Sequence, residues 1–488
     1  MKKILFTFLI GALVIIIDMS CQKEDFNTDG SVTLGFSTDT VSFDTIFTSI
    51  GSTTKQLKLY NPLKQYIRIS KIYLAGGENS FFRLNVDGEV SKSVENVEIP
   101  PKDSLYIFIE VTIDPFGVNN PLVINDSIVF ITNGNIQDVN LIAYGQDVHL
   151  INGELLESET WVADKPYLIY NSMGVDSAHT LTIDAGAKLY FHKGSQLIVL
   201  GTLLANGTKD NPIVFRGDRL DEVYEGLPYD FISGQWGGLV IYPYSHGNEL
   251  NYCHIKNAEI GLFMPGALGA NYQSEIELRN TIIENSSYAG IYAFSAKITA
   301  LNCLVVNSGT YTVAGLTGGE YNFYNCTISN HYKFQSGASE PAVVLTNFIY
   351  YNDSLILNDL QNTKFKNCII DGQGPNQLML TNKPEKSFDY LFENCLIKVI
   401  KDSIDADNMN LFKEVIYNED PKFKKIPTQD EPLPDRYLFD FSLDTLSPAK
   451  DKGTPEVITE FPELEFDIVG NSRVMDSGPD IGAYERIE

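Results

Sequence analysis

The stretch Asn302-Cys303-Leu304-Val305-Val306-Asn307 occurs again, with small changes, five more times. The copies are Asn251-Tyr252-Cys253-His254-Ile255-Lys256-Asn257, Asn280-Thr281-Ile282-Ile283-Glu284-Asn285, Asn325-Cys326-Thr327-Ile328-Ser329-Asn330, Asn367-Cys368-Ile369-Ile370 and Asn394-Cys395-Leu396-Ile397. One copy carries Thr281 in the cysteine position. Successive anchors are 28, 22, 23, 42 and 27 residues apart. Self-similarity at such a period is the signature of a repeat architecture. Within each copy the cysteine and the aliphatic residue two places on share one face of a strand.

One strand signature per 22–28 residues predicts a right-handed parallel β-helix, an all-β solenoid in which like residues stack coil above coil. The cysteines then form an inward ladder of small, soft apolar groups. The recurrent asparagines suit turns that need left-handed backbone and hydrogen bonds along the stack. A reactive-thiol reading is weaker, because nothing basic recurs beside the cysteines. There is no C-x-x-C pair, which argues against a zinc site. Five cysteines remain after Cys21, and five cannot pair completely.

Outward from the repeats, residues 147–419 read as the β-helix. Leu181-Thr182-Ile183-Asp184-Ala185-Gly186, Leu197-Ile198-Val199-Leu200-Gly201-Thr202 and Asn211-Pro212-Ile213-Val214-Phe215 resemble the opening coils of right-handed β-helix repeat proteins. That resemblance specifies fold and not function. About ten coils at about 4.8 Å each make a rod near 50 Å long. Residues 31–146 alternate with period two in Gln56-Leu57-Lys58-Leu59-Tyr60, Ile67-Arg68-Ile69 and residues 105–113, broken at Asn61-Pro62, Gly76-Gly77 and Pro100-Pro101. This predicts a β-sandwich, and it resembles the immunoglobulin-like spacer modules that follow bacterial surface anchors. Residues 420–488 contain Asp420-Pro421-Lys422-Phe423, Asp467-Ile468-Val469-Gly470-Asn471 and Asp480-Ile481-Gly482-Ala483-Tyr484. They resemble the closing segment of secreted polysaccharide-lyase-like β-helix proteins and are expected to cap the open end of the solenoid.

The first residues read as an address. A basic start at Met1-Lys2-Lys3 leads into an apolar run over residues 4–17, too short for a membrane span and suited to a signal peptide. Ser20-Cys21 after that run resembles a bacterial lipobox, with Cys21 as the lipidated residue of a mature chain beginning there; Asp18 departs from the pattern. Gln22-Lys23-Glu24-Asp25 resembles the surface-export signal of Bacteroidetes lipoproteins. Residues 1–20 are then the signal peptide and 21–30 a tether. The resemblance implies an outer-membrane lipid anchor exposed at the cell surface. Eight Asp-Ser/Thr-apolar triplets, beginning at Asp39, Asp44, Asp103, Asp126, Asp176, Asp353, Asp402 and Asp444, resemble Bacteroidetes O-glycosylation sequons.

The 63 acidic residues outnumber the 36 basic ones, for a formal net charge of −27. Such a chain lacks the basic stripe that nucleic-acid binding requires. Hydrophobic residues at 43%, with 28 Phe and 26 Tyr, supply enough apolar surface for a large core.

The search for chemistry centres on one insertion, residues 216–235, and the turn that follows it. Tyr224, Tyr229, Trp236, Tyr242 and Tyr244 are candidates for stacking on sugar faces. Asp230, with Asp218, Asp221 and Glu222, supplies candidate polar or Ca²⁺-binding partners; packing of the aromatics onto the rod is the competing reading. No metal site is assigned, and Ca²⁺ is the single cofactor that enters. Asp405 and Asp407 fall in a polar connector, and His254 points outward. Runs typical of polygalacturonases are missing, as are G-x-S-x-G and H-E-x-x-H. The expected function is therefore a non-catalytic surface lipoprotein that binds a polysaccharide or a surface protein. The alternative is a polysaccharide lyase or glycoside hydrolase working in a groove of the β-helix.

Overall fold

The computed structural model describes residues 25–117, 122–266, 273–332, 340–428 and 430–486. Cys21 and the segment before it lie outside the described residues. The chain forms two compact units that meet between Asp147 and Val148.

The first unit is built of two five-stranded sheets. In one the spatial order is Gly35–Phe36, Lys55–Tyr60, Ser104–Val111, Phe82–Val86 and Glu89–Ser91. In the other it is Thr40–Phe47, Asn135–Gln146, Leu122–Thr132, Ile67–Leu74 and Ser93–Ile99. Every neighbouring pair is antiparallel except Thr40–Phe47 with Asn135–Gln146, which run parallel. Alternation decides which side is buried. In Ser104–Val111, Ile107, Ile109 and Val111 turn inward while Tyr106, Phe108 and Glu110 face out. The inward sets of both sheets form one core around Phe43, Phe82 and Phe130. At the Asn61-Pro62 turn the buried Asn61 amide donates to the carbonyls of Gln65, Ile99 and Pro100, each at 2.9 Å. It thereby satisfies groups that the turn leaves without ladder partners.

The second unit is a parallel β-helix. Its main sheet has 26 strands, and every pairing within it is parallel. Three strand positions recur in each coil. One coil, for example, runs through Ile282–Ser286 and then Ala289–Leu301, which bends at Ser295, where φ is 47°. The repeats stack in register: Ile282 pairs with Leu304, Leu304 with Thr327, Thr327 with Ile369, Ile369 with Leu396 and Leu396 with Ile416. The residue before each repeat cysteine or threonine is held at positive φ: Tyr252 46°, Asn280 49°, Asn302 61°, Asn325 50°, Asn367 52° and Asn394 50°. Asparagine tolerates this conformation better than other side chains. Its amide also bonds along the stack: Asn302 Nδ2 donates to Asn280 Oδ1 at 2.9 Å, and Asn280 Nδ2 to Asn251 Oδ1 at 3.1 Å.

Cys253, Cys303, Cys326, Cys368 and Cys395 are free, buried and part of the solenoid core. A second ladder runs beside them. The rings of Phe323, Phe365, Phe392 and Phe412 stack at 4.9, 4.9 and 5.3 Å. That is close to the inter-strand spacing of about 4.8 Å, so parallel register itself brings equivalent rings face to face. Burying each such ring contributes about 1.5–3 kcal/mol.

Residues 420–486 lie along the flank of the solenoid. The outward-facing Ile282, Leu304, Ile369, Leu396 and Ile416 present an apolar stripe. Phe423, Phe441, Leu443, Ala449, Ile468, Ile481 and Ala483 cover it. This differs from the end cap expected from the sequence, and the stripe is the physical reason: an uncovered apolar row of this length is unfavourable in water. Ile404, Leu411 and Val415, from the connector that holds Asp405 and Asp407, pack against the solenoid core.

Candidate functional site

The outer face that begins at the repeat cysteines carries a groove. Alternation turns His254 and Lys256 of Cys253–Lys256 outward, and Glu284 of Ile282–Ser286 beside them. Register sets His254 opposite Ile282 and Lys256 opposite Glu284. These side chains line a groove of about 380 Å³. Asp230 and Phe231 of the 216–235 insertion close one side, and Tyr437, Phe439 and Phe441 of the flanking segment close the other.

Its polar groups are paired. Glu284 Oε1 lies 2.7 Å from His254 Nε2. Asp230 is held between two cations, with Arg216 at 2.7 Å and Lys256 Nζ at 2.8 Å. Burial alone would raise the Glu284 carboxyl, but the charge and hydrogen bond of His254, with the charge of Lys256, hold it below its ordinary range. The walls are aromatic. Phe231 stacks on Tyr437 at 5.3 Å, Phe439 on Phe441 at 5.7 Å, and Ser233 Oγ meets the Tyr332 hydroxyl at 2.5 Å. Burial raises the hydroxyls of Tyr332 and Tyr437, so both stay neutral hydrogen-bonding groups.

A second groove, of about 550 Å³, lies further along the same face. It contains His331, whose Nε2 is 3.0 Å from the buried Asp371, together with Lys398, Asn418, Asp420, Lys422 and Asp444. Lys398 Nζ donates to Gly372 O at 2.6 Å, and Lys422 pairs with Asp420 at 2.9 Å.

Of the six residues that the sequence nominates for ligand binding, Asp230 alone lines the groove beside His254 and Glu284. Trp236 is corrected to a core residue. It is 1% exposed, stacks on Phe191 at 4.2 Å and donates its Nε1 proton to Lys256 O at 2.9 Å. The insertion ends at the strand Gly238–Ile241, and the ring of Trp236 fills the coil interior just before it. Tyr229 packs under Arg219, 3.9 Å from the guanidinium carbon. Tyr224, Tyr242 and Tyr244 are exposed but lie outside the groove. The acidic residues of the insertion do not converge: Asp218 pairs with His192 at 2.7 Å, Asp221 with Arg219 at 2.6 Å, and Glu222 accepts from Gly226 N at 3.3 Å. Among the described residues no group of His, Cys, Asp and Glu is arranged to hold a metal ion.

Sequence reasoning missed Lys256, Glu284, Tyr332, Tyr437 and Phe439. For the first two a signal existed, since charged residues stand at the same outward position of adjacent repeats. The other three reach the groove only through tertiary packing.

A family model described as the right handed beta helix region matches residues 266–418. No curated protein matches the chain. Among solved structures it is similar to a family 123 glycoside hydrolase from Clostridium perfringens, at 8% identity and a TM-score of 0.18, covering 26% of this chain and 30% of that one. It is also similar to a PapD-like domain of human CEP192, at 12% identity and a TM-score of 0.16, covering 23% of this chain and 84% of that one. At these scores neither likeness carries an argument about activity.

Proposed function

We propose that this chain is a cell-surface lipoprotein whose β-helix binds a glycan without turning it over. One observation carries the reading: a groove on the outer face of the solenoid that combines aromatic walls with a floor of fixed, paired charges. Sugar rings offer apolar C–H faces to Phe231, Tyr437 and Phe439, and hydroxyls to Glu284, His254, Lys256 and Asp230. Hydrolysis needs a carboxylic acid that still holds its proton near neutral pH. The neighbours of Glu284 favour the opposite state, and Asp230 already serves two cations. The sandwich is read as an immunoglobulin-like spacer and Cys21 as the outer-membrane anchor.

The purified chain is tested against a panel of neutral and acidic polysaccharides, with binding and product release both measured. Binding without product, weakened at least tenfold by Tyr437→Ala and by Glu284→Gln, is expected. Product release that Asp230→Ala or Glu284→Ala abolishes would replace the binding reading with a lyase or hydrolase. The anchor has its own test: Cys21→Ala releases the protein from membranes, and unchanged membrane association refutes the assignment.

A further inference from the structure

The two grooves of the solenoid share one outward row of residues and one wall. Register fixes the row. Lys256 pairs with Glu284, Glu284 with Val306, Val306 with Ser329 and Ser329 with Asp371. The residues just before them, Ile255, Ile283, Val305, Ile328 and Ile370, belong to the core, so the row itself turns away from the coil interior. Lys256 and Glu284 line the groove beside His254, and Asp371 lines the groove beside His331. Four coil steps of about 4.8 Å carry the row about 19 Å from the first groove to the second.

A stack of rings divides the grooves where the row is covered. Phe441 shares an apolar cluster with Val306 and lines the first groove. Its ring lies 6.3 Å from that of His331 in the second. Phe423, which lines the second groove, meets Phe441 edge-on at 5.2 Å. The chain itself crosses here, because the consecutive residues His331 and Tyr332 line one groove each. The flanking segment after residue 420 thus walls both.

The polar groups of the second groove are held in place. The Lys398 ammonium has three protons and gives one to Gly372 O at 2.6 Å. Asn418 Oδ1 accepts from Val399 N at 2.9 Å, which orients its amide. Lys422 fixes Asp420 at 2.9 Å. Donors and acceptors side by side suit hydroxyl groups, which do both. Charge narrows the ligand further. Three carboxylates line the first groove and four the second, against one lysine and two. His254 and His331 each already face one of these carboxylates. Uronates, sulfates and phosphates therefore meet an unfavourable field in both grooves.

We propose that the two grooves are subsites of one site, which takes a neutral glycan chain long enough to cross the ring stack. This rests on the glycan-binding reading above and adds to it a length and a charge class. A short sugar fills one groove. A longer chain also reaches Lys398 and Asn418, and that second contact, made within one complex, raises affinity.

The test is calorimetry on the full chain with malto-, xylo-, manno- and cello-oligosaccharides, from disaccharide to hexasaccharide, and with oligogalacturonates of the same lengths. In at least one neutral series the hexasaccharide binds about tenfold tighter than the disaccharide. Lys398→Met, which keeps the aliphatic stem, brings the hexasaccharide down to the affinity of the disaccharide, and Asn418→Ala acts in the same direction. If Asn418→Ala melts early, the Lys398 variant gives the reading. Equal affinity at every length, or a hexasaccharide that binds Lys398→Met as tightly as the wild type, refutes the two-groove site and leaves glycan binding at the first groove standing. Oligogalacturonates that bind as tightly as the neutral chains overturn the charge class. If none of the sugars binds, or Tyr437→Ala weakens none of them, the glycan reading falls and the two-groove site falls with it.

Discussion

Arg473 and Asn302 are 171 positions apart in the chain, and the Arg473 guanidinium donates to Asn302 Oδ1 at 2.8 Å. Asn302 is the turn residue of a central repeat, and Arg473 belongs to the flanking segment. The guanidinium is fully buried and also bonds Glu485 at 3.1 Å, Gly482 O at 2.9 Å and Asp480 O at 3.3 Å. The flank is thus pinned to the asparagine ladder by a charge that has no access to water.

Replacing that charge tests how the segment is held. Arg473→Met keeps much of the volume but leaves the carboxyl groups of Glu485, Asp480 and Asp467 buried without their cation, and Asn302 Oδ1 without that donor. Removing one partner of a buried ion pair costs about 3–5 kcal/mol. The expected outcome is an earlier melting transition, with limited proteolysis cutting first within residues 420–486. Unaltered melting and an intact C-terminal fragment would show that the apolar stripe suffices on its own.

The same cluster predicts a pH dependence. Burial is the largest influence on Glu485 and pushes it from 4.5 up to about 8, against the pull of Arg473; burial raises Asp480 as well. A carboxyl with a raised folded pKa binds a proton in the native state that the unfolded chain has already lost. Stability from it is complete below about pH 4.5 and falls as pH rises toward 8. Glu485→Gln removes that titration. The melting temperature of the wild type minus that of Glu485→Gln should therefore decline between about pH 5 and 8. A difference that stays flat or rises contradicts the assignment.

The repeat was legible because its cause is local. Cysteine, aliphatic residue and asparagine occupy fixed offsets from a turn, and parallel register copies those offsets from coil to coil. Glu284 and Lys256 were legible in principle by the same rule. The walls of the groove were not. Tyr437 and Phe439 meet it only because the segment after residue 420 returns along the flank, and that path is chosen by an apolar stripe assembled from five separate strands. Trp236 misled for a related reason. An aromatic residue beside an insertion looks exposed in sequence, while its ring fills the coil interior against Phe191.

The cysteine ladder makes the last prediction. All five thiols are closed to solvent in an apolar interior. Burial raises Cys253, Cys303 and Cys368 above the ordinary thiol range, while at Cys326 burial is outweighed by the hydrogen bonds from its ladder neighbours Cys303 and Cys368, which hold the thiol below it. Each sulfur contacts backbone carbonyls instead of a base, as Cys326 Sγ does with Ala300 O at 3.4 Å and Tyr324 O at 3.3 Å. A reagent must reach a thiol before it can react, so the native protein should leave a thiol reagent such as dithionitrobenzoate unconsumed by these five buried groups until it unfolds. Thr281 fills the same ladder position, and its hydroxyl donates to Arg279 O at 2.9 Å and Leu250 O at 3.3 Å. Thr281→Cys preserves this geometry with a weaker donor and should change stability by less than about 1.5 kcal/mol. Cys326→Leu adds bulk where coils stack about 4.8 Å apart and should cost about 1–3 kcal/mol. Chemical denaturation of the two variants side by side checks both. Equal losses from both would mean that the hydrogen bonds of the Thr281 hydroxyl matter as much to the ladder as the size of the side chain does.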